Sequence, residues 1–187
     1  MDLYLLRHGH VAEATAVDPY NAPLSVRGSA EADVLAERCR KWDIQFLCAS
    51  TAARAQQTAD IILADCTDAL RWDLKELESL SVDDMEGQVI YSPNPKHWTA
   101  AQNRYGLERT WVRLVSAMAR IEIYASAHSI QRIALVTHSD IINLCLYNWL
   151  GLNWTAHEHL EFTIEPGASC YIHLHGAQTR VHWINLI

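Results

Sequence analysis

Residues 2–9 read DLYLLRHG, a short apolar run that ends in an arginine, a histidine and a glycine. Residues 130–139 repeat this design as IQRIALVTHS, in which the apolar run ends in a histidine and a serine. Continuous apolar runs of this length are typical of strands that are buried on both faces of a sheet. In α/β proteins the carboxyl ends of parallel strands share one edge, and ligands bind there. The two runs therefore predict that His8 and His138 lie at the same edge of one sheet.

The chain between and beyond these two runs alternates apolar and amphipathic segments. Further strands are predicted over residues 45–49 and 70–74. Helices are predicted after an N-cap at Ser25 and over residues 53–64, 104–126 and 141–150. The tail from residue 159 alternates apolar and polar residues, which predicts short antiparallel strands at a sheet edge.

This order of elements predicts the α/β fold class. We expect a three-layer α/β/α sandwich with a mainly parallel mixed sheet. Residues 1–187 would form a single domain, with a small cap inserted around residues 76–105.

The composition restricts the classes of function. The 187 residues are 50% hydrophobic and 20% charged, which favours a packed domain and argues against disorder. The formal net charge of −7 argues against a broad surface for nucleic acid or anionic membranes. The five cysteines include no CxxC pair, and there is neither a signal sequence nor an apolar run long enough to span a membrane. A cytoplasmic protein is therefore predicted, with neither nucleic acid nor membrane as a partner.

The polar residues at the predicted strand ends form a cationic set. Arg7 and His8 follow the first strand, His138 follows the last parallel strand, and Arg54 starts the helix after Ser50. Guanidinium groups match phosphate oxygens geometrically, and helix N-termini add backbone N–H donors. An imidazole is largely unprotonated near neutral pH and can attack phosphorus. The residue types therefore predict a pocket for a phosphoryl group. A small cap would leave this pocket open to a small phosphorylated molecule or to a phosphoprotein.

Four segments resemble, in the same order, the motifs of the histidine phosphatase superfamily, which includes the phosphoglycerate mutases. They are LRHG at 6–9, PLSVRG at 23–28 followed by Ala30 and Glu31, STAARAQQTA at 50–59, and LVTH at 135–138. RHG alone is a weak signal, whereas the four segments in order are specific and cover most of the chain. The resemblance implies a phosphoglycerate mutase-like fold and phosphoryl transfer that needs no metal or other cofactor, because arginines supply the positive charge.

The resemblance also implies roles for the matching residues. His8 would be the nucleophile that becomes phosphohistidine. The phosphoryl oxygens would be held by Arg7, Arg54, His138 and the N–H of Ser139.

A glutamate after the third strand should protonate the leaving-group oxygen. Two residues fit this role, with Glu76 matching the family's L-x-E pattern and Glu78 matching the spacing to Glu86 and Gly87. We rank Glu76 first and keep Glu78 as the alternative.

Three positions depart from the family pattern. His10 stands where a glutamate or glutamine is usual, Ala14 where an asparagine is often found, and Ser139 where a glycine is usual. These departures change the walls of the pocket, so they affect the choice of substrate more than the phosphoryl-transfer reaction. His10 is therefore a candidate for shaping the pocket or contacting the leaving group.

The predicted activity is hydrolysis of a phosphomonoester by a phosphatase. One alternative is a cofactor-dependent phosphomutase of the same superfamily, for which the cap offers few basic residues: Lys75, Lys96, Arg104 and Arg109. Another is a non-catalytic protein that binds phosphate or a phosphopeptide. A third is a zinc protein, for which the sequence defines no complete ligand set among its late histidines, His157, His159, His173, His175 and His182.

Overall fold

The computed structural model describes residues 1–12, 22–92, 94–176 and 178–187. Within these ranges the chain forms six strands and four α-helices. The strands are β1 (Asp2–Arg7), β2 (Phe46–Ser50), β3 (Leu70–Leu74), β4 (Arg132–Thr137), β5 (Ser169–His175) and β6 (Gln178–Leu186). The helices are α1 (Val26–Lys41), α2 (Ala53–Asp65), α3 (Ala100–Ala127) and α4 (Ser139–Trp149).

The six strands form one mixed sheet in the order β3-β2-β4-β1-β5-β6. The first four strands run parallel to one another, β5 runs antiparallel to β1, and β6 runs antiparallel to β5. Arg7 at the end of β1 is level with Thr137 at the end of β4. The polar residues that follow these strands therefore meet at one edge of the sheet, which we call the carboxyl edge.

Helices cover both faces of the sheet, which explains the continuous apolar runs. On β1, Leu3 and Leu5 belong to the core shared with α3 and α4, whereas Tyr4 and Leu6 belong to the core shared with α1 and α2. None of these four side chains is more than 5% exposed. The predicted three-layer α/β/α sandwich with a mainly parallel mixed sheet is confirmed.

The helix starts follow local capping. Ser25 is the N-cap of α1, as predicted, and its Oγ accepts a hydrogen bond from the N–H of Gly28 at 3.0 Å. Helix α3 begins at Ala100, upstream of the predicted start, because Thr99 and Gln102 form a reciprocal capping box. No helix in the described part of the chain combines the length and apolar character needed to cross a membrane.

The prediction of a strand over residues 159–164 is wrong. The side chain of Asn143 on α4 bonds both backbone groups of Phe162, its N–H at 2.7 Å and its carbonyl at 2.9 Å. The hydroxyl of Tyr147, one turn further along α4, donates to the carbonyl of Leu160. Because helix side chains satisfy these backbone groups, the segment lies against α4 and does not join the sheet. The antiparallel strands of the tail are β5 and β6, which follow it.

Short 3-10 turns occupy the region between β3 and α3. They are formed by Lys75–Leu77, Val82–Met85 and Pro95–His97. Side chains from this region pack against Gly106, near the start of α3. The assignment of residues 76–105 as a separate cap stays a prediction.

Two glycines let the loop after β1 pass directly against the start of α1. A Cβ atom on Gly9 would overlap the carbonyl of Gly28, and a Cβ on Gly28 would overlap the carbonyl of His10. The N–H of Ser25 also donates to the carbonyl of His10 at 2.9 Å. The loop that follows His8 is thereby anchored to helix α1.

Candidate active site

The structure brings His8, Arg54 and His138 together at the carboxyl edge. His8 follows β1, His138 follows β4, and Arg54 lies in the first turn of α2. The Nε of Arg54 donates to Nε2 of His8 at 3.1 Å, and its Nη2 donates to Nδ1 of His138 at 3.2 Å. The centroids of the two imidazole rings are 5.1 Å apart. One guanidinium therefore bridges two histidines that lie 130 residues apart in sequence.

The hydrogen bonds of His8 define its protonation. Its Nδ1 lies 2.8 Å from the carbonyl oxygen of Gly9, which can only accept, so Nδ1 carries the proton. Its Nε2 receives a bond from Arg54, which can only donate, so Nε2 holds a lone pair. Burial, and next the charges of Arg54 and Arg7, lower the pKa of His8 to about 3 despite the bond to Gly9. His8 is therefore a neutral base at pH 7, with the Nε2 lone pair facing the cationic pocket.

His138 is oriented by contacts at both ring nitrogens. Arg54 donates to Nδ1, so Nε2 carries the proton and donates to Oγ of Ser50 at 2.9 Å. Burial, followed by the neighbouring positive groups, holds the pKa of His138 well below its usual value. Ser50 is completely buried at the end of β2, so it holds the ring from the sheet side.

Arg7 is a second cation at this edge, and its donors are incompletely satisfied. Its Nη1 donates to the carbonyl of Ile164, whereas its Nε is buried without a hydrogen-bond partner among the described residues. Burial lowers the pKa of Arg7, while the acidic groups of Glu165, Asp140 and Glu31 oppose that effect. A buried guanidinium donor without an acceptor is unfavourable, and an anionic oxygen at this edge would satisfy it.

The N-terminus of α4 adds backbone donors to the edge. His138 is the N-cap and Ser139 the first residue of the helix, and the His138 side chain makes no capping bond. The first N–H groups of a helix have no partner within the helix, and they favour bound anions. Ser139, the predicted phosphate-binding residue, is the first residue of this helix and directly follows His138.

The structure turns the carboxylate of Glu76 toward helix α3. Its Oε1 accepts from Nη1 of Arg120 at 2.6 Å. Burial alone would raise the pKa of Glu76, but its own backbone N–H and the charge of Arg120 lower it below the usual value. A general acid at neutral pH needs the opposite shift. The partner and the pKa of Glu76 both disfavour the role for which the sequence ranked it first.

Glu78 points instead toward the carboxyl edge. Its Oε1 accepts a hydrogen bond from the hydroxyl of Thr51, the residue that directly follows Ser50 at the end of β2. Ser50 in turn contacts His138. Of the two candidate acids, Glu78 is the one connected to the strand ends that carry the pocket.

The sequence profile of the histidine phosphatase superfamily (branch 1) matches residues 3–187. The chain belongs to the histidine phosphatase superfamily. A local match to "Probable phosphoglycerate mutase GpmB" of Enterobacter sp. (strain 638) has 38% identity over 69 residues. This match covers 35% of the chain and 32% of the relative, so it spans about a third of that protein.

Solved structures confirm the family fold over the whole chain. A candidate alpha-ribazole-5′-P phosphatase of Escherichia coli K-12 has a TM-score of 0.76 and 20% identity, covering 100% of this chain and 97% of its own. YhfR of Bacillus stearothermophilus has a TM-score of 0.75 and 18% identity, covering 97% and 95%. The mycobacterial glucosyl-3-phosphoglycerate phosphatase has a TM-score of 0.73 and 17% identity, covering 98% of each chain. At such identities the likeness shows the fold.

His10, the departure that follows RHG in this member of the histidine phosphatase superfamily, bonds to the start of α1. Its Nδ1 lies 2.9 Å from Oγ of Ser25, and its backbone N–H donates to Oε2 of Glu31 at 2.7 Å. These bonds make His10 part of the wall between the loop after β1 and α1. Ala14, the other departure in this loop, lies outside the described residues.

Sequence reasoning missed three residues that support the site. Ser50 orients His138, Arg113 contacts the loop that carries Glu78, and Asp140 contacts the same loop from α4. Ser50 opens a recognised motif, so its position was a usable signal. No sequence signal pointed to Arg113 or Asp140, because their contacts join segments that are distant in sequence.

The late histidines form no metal centre in the described part of the chain. His173 bonds through Nδ1 to Asp2 at 2.7 Å, and its ring centroid lies 6.3 Å from that of His175. His182 stacks on Tyr171. No group of three or more metal-ligating side chains comes together among the described residues. The zinc alternative therefore gains no support from these histidines.

We expect the buried histidines to make stability dependent on pH. Below about pH 6.5 the unfolded chain takes up protons on His8 and His138, whereas His8 in the folded state stays neutral to about pH 3. The unfolded state then binds more protons, so the free energy of unfolding falls as pH drops from about 6.5, by on the order of 1 kcal/mol per pH unit per histidine. Urea denaturation between pH 7.5 and 4.5 measures this slope.

His8→Asn is the matched variant for this measurement. Asparagine can still donate to the Gly9 carbonyl but does not titrate, so the slope should become shallower. Equal slopes in wild type and His8→Asn would contradict the assignment of His8 as a buried neutral base.

Proposed function

We propose that the protein is a phosphatase that hydrolyses phosphomonoesters through a phosphohistidine formed on Nε2 of His8. The observation that carries the proposal is the Nε2 lone pair, which lies beside the guanidinium of Arg54 and close to a second cation, Arg7. A nucleophile and positive charge in one buried place are what phosphoryl transfer requires. The arginines supply charge neutralisation from the protein itself.

The first step is an in-line displacement at phosphorus. Nε2 of His8 forms the P–N bond while the bond from phosphorus to the ester oxygen breaks, and Glu78 gives its proton to that oxygen. Charge on the phosphoryl oxygens is stabilised by Arg7, Arg54 and the N–H groups at the start of α4. His138 joins them once the phosphate dianion favours a proton on its Nδ1.

The second step releases inorganic phosphate. Water attacks the phosphohistidine, Glu78 takes a proton from that water, and the P–N bond breaks to regenerate neutral His8. The same carboxyl group therefore acts as acid and then as base. During entry of the substrate, the Arg54 donors leave the two histidines and bond to phosphoryl oxygens.

The charge distribution supports a phosphatase over a phosphomutase. Five of the basic residues between β3 and the end of α3 form ion pairs with carboxylates: Lys75 with Asp83, Arg104 with Glu158, Arg109 with Glu86, Arg113 with Asp84, and Arg120 with Glu76. The segment 13–21, which follows the nucleophile, contains no lysine or arginine. A bisphosphorylated ligand needs cations for a second phosphate, and these residues are already paired with carboxylates. The proposed substrate is therefore a monophosphate whose alcohol part carries no negative charge.

Glycerol 3-phosphate and 3-phosphoglycerate test this charge preference, because they differ at the carboxylate end. We expect kcat/KM to be ~10-fold or more higher for glycerol 3-phosphate, since Asp140, Glu165 and Glu31 would repel a carboxylate. Raising the salt concentration should bring the kcat/KM values for the two substrates closer together. A preference for 3-phosphoglycerate, or its conversion to 2-phosphoglycerate when 2,3-bisphosphoglycerate is added, would favour the mutase.

The activity itself is tested with p-nitrophenyl phosphate in the presence of EDTA. Its good leaving group reduces dependence on the acid, so the assay reports the nucleophile and the phosphate pocket. Steady turnover under chelation is the expected result. Saturable binding of phosphate without turnover would support the non-catalytic binding protein instead.

A further inference from the structure

The loop that carries Glu78 has no strand or helix to position it. We call residues 76–80 the acid loop; it begins within the 3-10 turn Lys75–Leu77 and ends before the 3-10 turn Val82–Met85. A general acid must come within about 3 Å of the leaving-group oxygen, and a misplacement of 1 Å can lower the rate about 100-fold. Contacts from elsewhere in the fold must therefore hold this loop in place.

Arg113 on α3 holds the outer side of the acid loop. Its Nη2 donates to the carbonyls of Glu78 at 2.7 Å and Ser79 at 3.4 Å, and its Nη1 donates to the carbonyl of Glu76. The same guanidinium binds both carboxylate oxygens of Asp84, at 2.9 and 3.2 Å. Asp84 is 5% exposed, so water has little access to its carboxylate, which pairs with Arg113.

Asp140 holds the inner side of the same loop. Its Oδ2 accepts two hydrogen bonds from the loop, one from Oγ of Ser79 at 2.6 Å and one from the backbone N–H of Leu80 at 2.9 Å. Asp140 lies in the first turn of α4, directly after His138 and Ser139. It therefore connects the residue next to Glu78 with the helix start that would bind the phosphoryl group.

We propose that Asp140 is a positioning residue. By holding the acid loop, it fixes the distance between Glu78 and the N-terminus of α4, where the phosphoryl group would bind. This inference rests on the proposed phosphatase mechanism. It assigns a function to Asp140, the residue that follows the departure from the family pattern at Ser139. The two hydrogen bonds that Oδ2 of Asp140 accepts, from Ser79 and Leu80, thereby set the distance between Glu78 and the phosphoryl group.

An acidic residue in the first turn of a helix also stabilises the helix through its charge. The two roles are separated by Asp140→Asn and Asp140→Ala, which remove the same charge. Asparagine keeps an acceptor oxygen for Ser79 and Leu80, whereas alanine keeps none. Both variants also lose the same attraction to Arg7, so the phosphate pocket changes equally in the two.

The experiment compares kcat on glycerol 3-phosphate, which needs the acid, with kcat on p-nitrophenyl phosphate, which does not. We expect Asp140→Ala to lower kcat on glycerol 3-phosphate by ~10- to 100-fold and on p-nitrophenyl phosphate by no more than ~3-fold. Asp140→Asn should stay within ~3-fold of wild type on both substrates. Equal losses in the two variants, or equal losses on the two substrates, would overturn the proposal.

A double-mutant cycle tests whether Asp140 acts through Glu78. In a Glu78→Gln background, Asp140→Ala should cause little further loss on glycerol 3-phosphate, because the acid is already absent. Fully additive losses would refute the inference. If Asp140→Ala does not fold, Ser79→Ala removes one of the two bonds and should give a smaller loss with the same substrate selectivity.

The proposed phosphatase activity and the positioning role of Asp140 are contradicted by different results. A wild-type protein with no turnover of p-nitrophenyl phosphate would remove the proposed function, and the positioning role with it. A wild-type protein that is active, combined with Asp140 variants that show no leaving-group selectivity, would remove only the positioning role.

Discussion

His8→Asn should reduce turnover of p-nitrophenyl phosphate by on the order of 10⁴-fold or more, because it removes the side chain that we propose forms the covalent intermediate. The variant keeps Arg7, Arg54 and His138, so inorganic phosphate should still bind. Steady-state kinetics in EDTA measure the first effect, and calorimetric titration with phosphate measures the second. Loss of turnover with retained phosphate binding separates the nucleophile from the phosphate pocket.

His10→Asn is the matched control for this variant. It makes the same substitution at a histidine that bonds Ser25. We expect it to change turnover by no more than ~10-fold, since a residue in the wall alters substrate fit and not bond formation. Comparable losses in the two variants would contradict the assignment of His8 as the sole nucleophile.

A trapped phosphoenzyme would identify the intermediate directly. Wild-type protein mixed briefly with labelled substrate and quenched in alkali should retain label that acid then releases, as expected for a P–N bond. His8→Asn should retain none. Label that survives acid would indicate a phosphoester on another residue.

Glu78→Gln should lower kcat on glycerol 3-phosphate by ~10²- to 10⁴-fold while changing turnover of p-nitrophenyl phosphate far less. The alkyl alkoxide is a poor leaving group and needs a proton, whereas the nitrophenolate does not. Glutamine keeps the size of the side chain and can still accept from Thr51, so the difference reports the lost proton. The ratio of the two kcat values is the quantity to measure.

Glu76→Gln is the control, since it makes the same change two residues earlier. It weakens a half-exposed ion pair with Arg120, which contributes at most about 1 kcal/mol to stability, and should leave the ratio near wild type. The reverse outcome, in which Glu76→Gln is the selective variant, would restore the ranking that the sequence favoured.

The choice between Glu76 and Glu78 as the general acid could not be made from the sequence alone. Glu76 and Glu78 are two residues apart in one loop, and both fit part of the family pattern. Their directions are decided by partners that are distant in sequence, Arg120 for Glu76 and Thr51 for Glu78. Local spacing contains no information about such partners, so both assignments remained open.

The segment 159–164 shows a similar limit in the fold. Its alternating pattern is that of a half-buried strand, and its apolar side chains do pack inward. Asn143 and Tyr147 on α4 supply hydrogen bonds that a neighbouring strand would otherwise supply. Periodicity reports which side chains are buried, and it does not report which groups satisfy the backbone.

The sequence by itself determined the α/β sandwich and the cluster of His8, Arg54 and His138. Parallel strands buried on both faces must be apolar throughout, and residues that follow such strands must gather at one edge. Tertiary structure alone decided which glutamate faces that edge, and it placed Arg113 and Asp140 around the acid loop. Loops have no internal hydrogen-bond ladder, so their side-chain directions depend on long-range contacts that form only when the chain has folded.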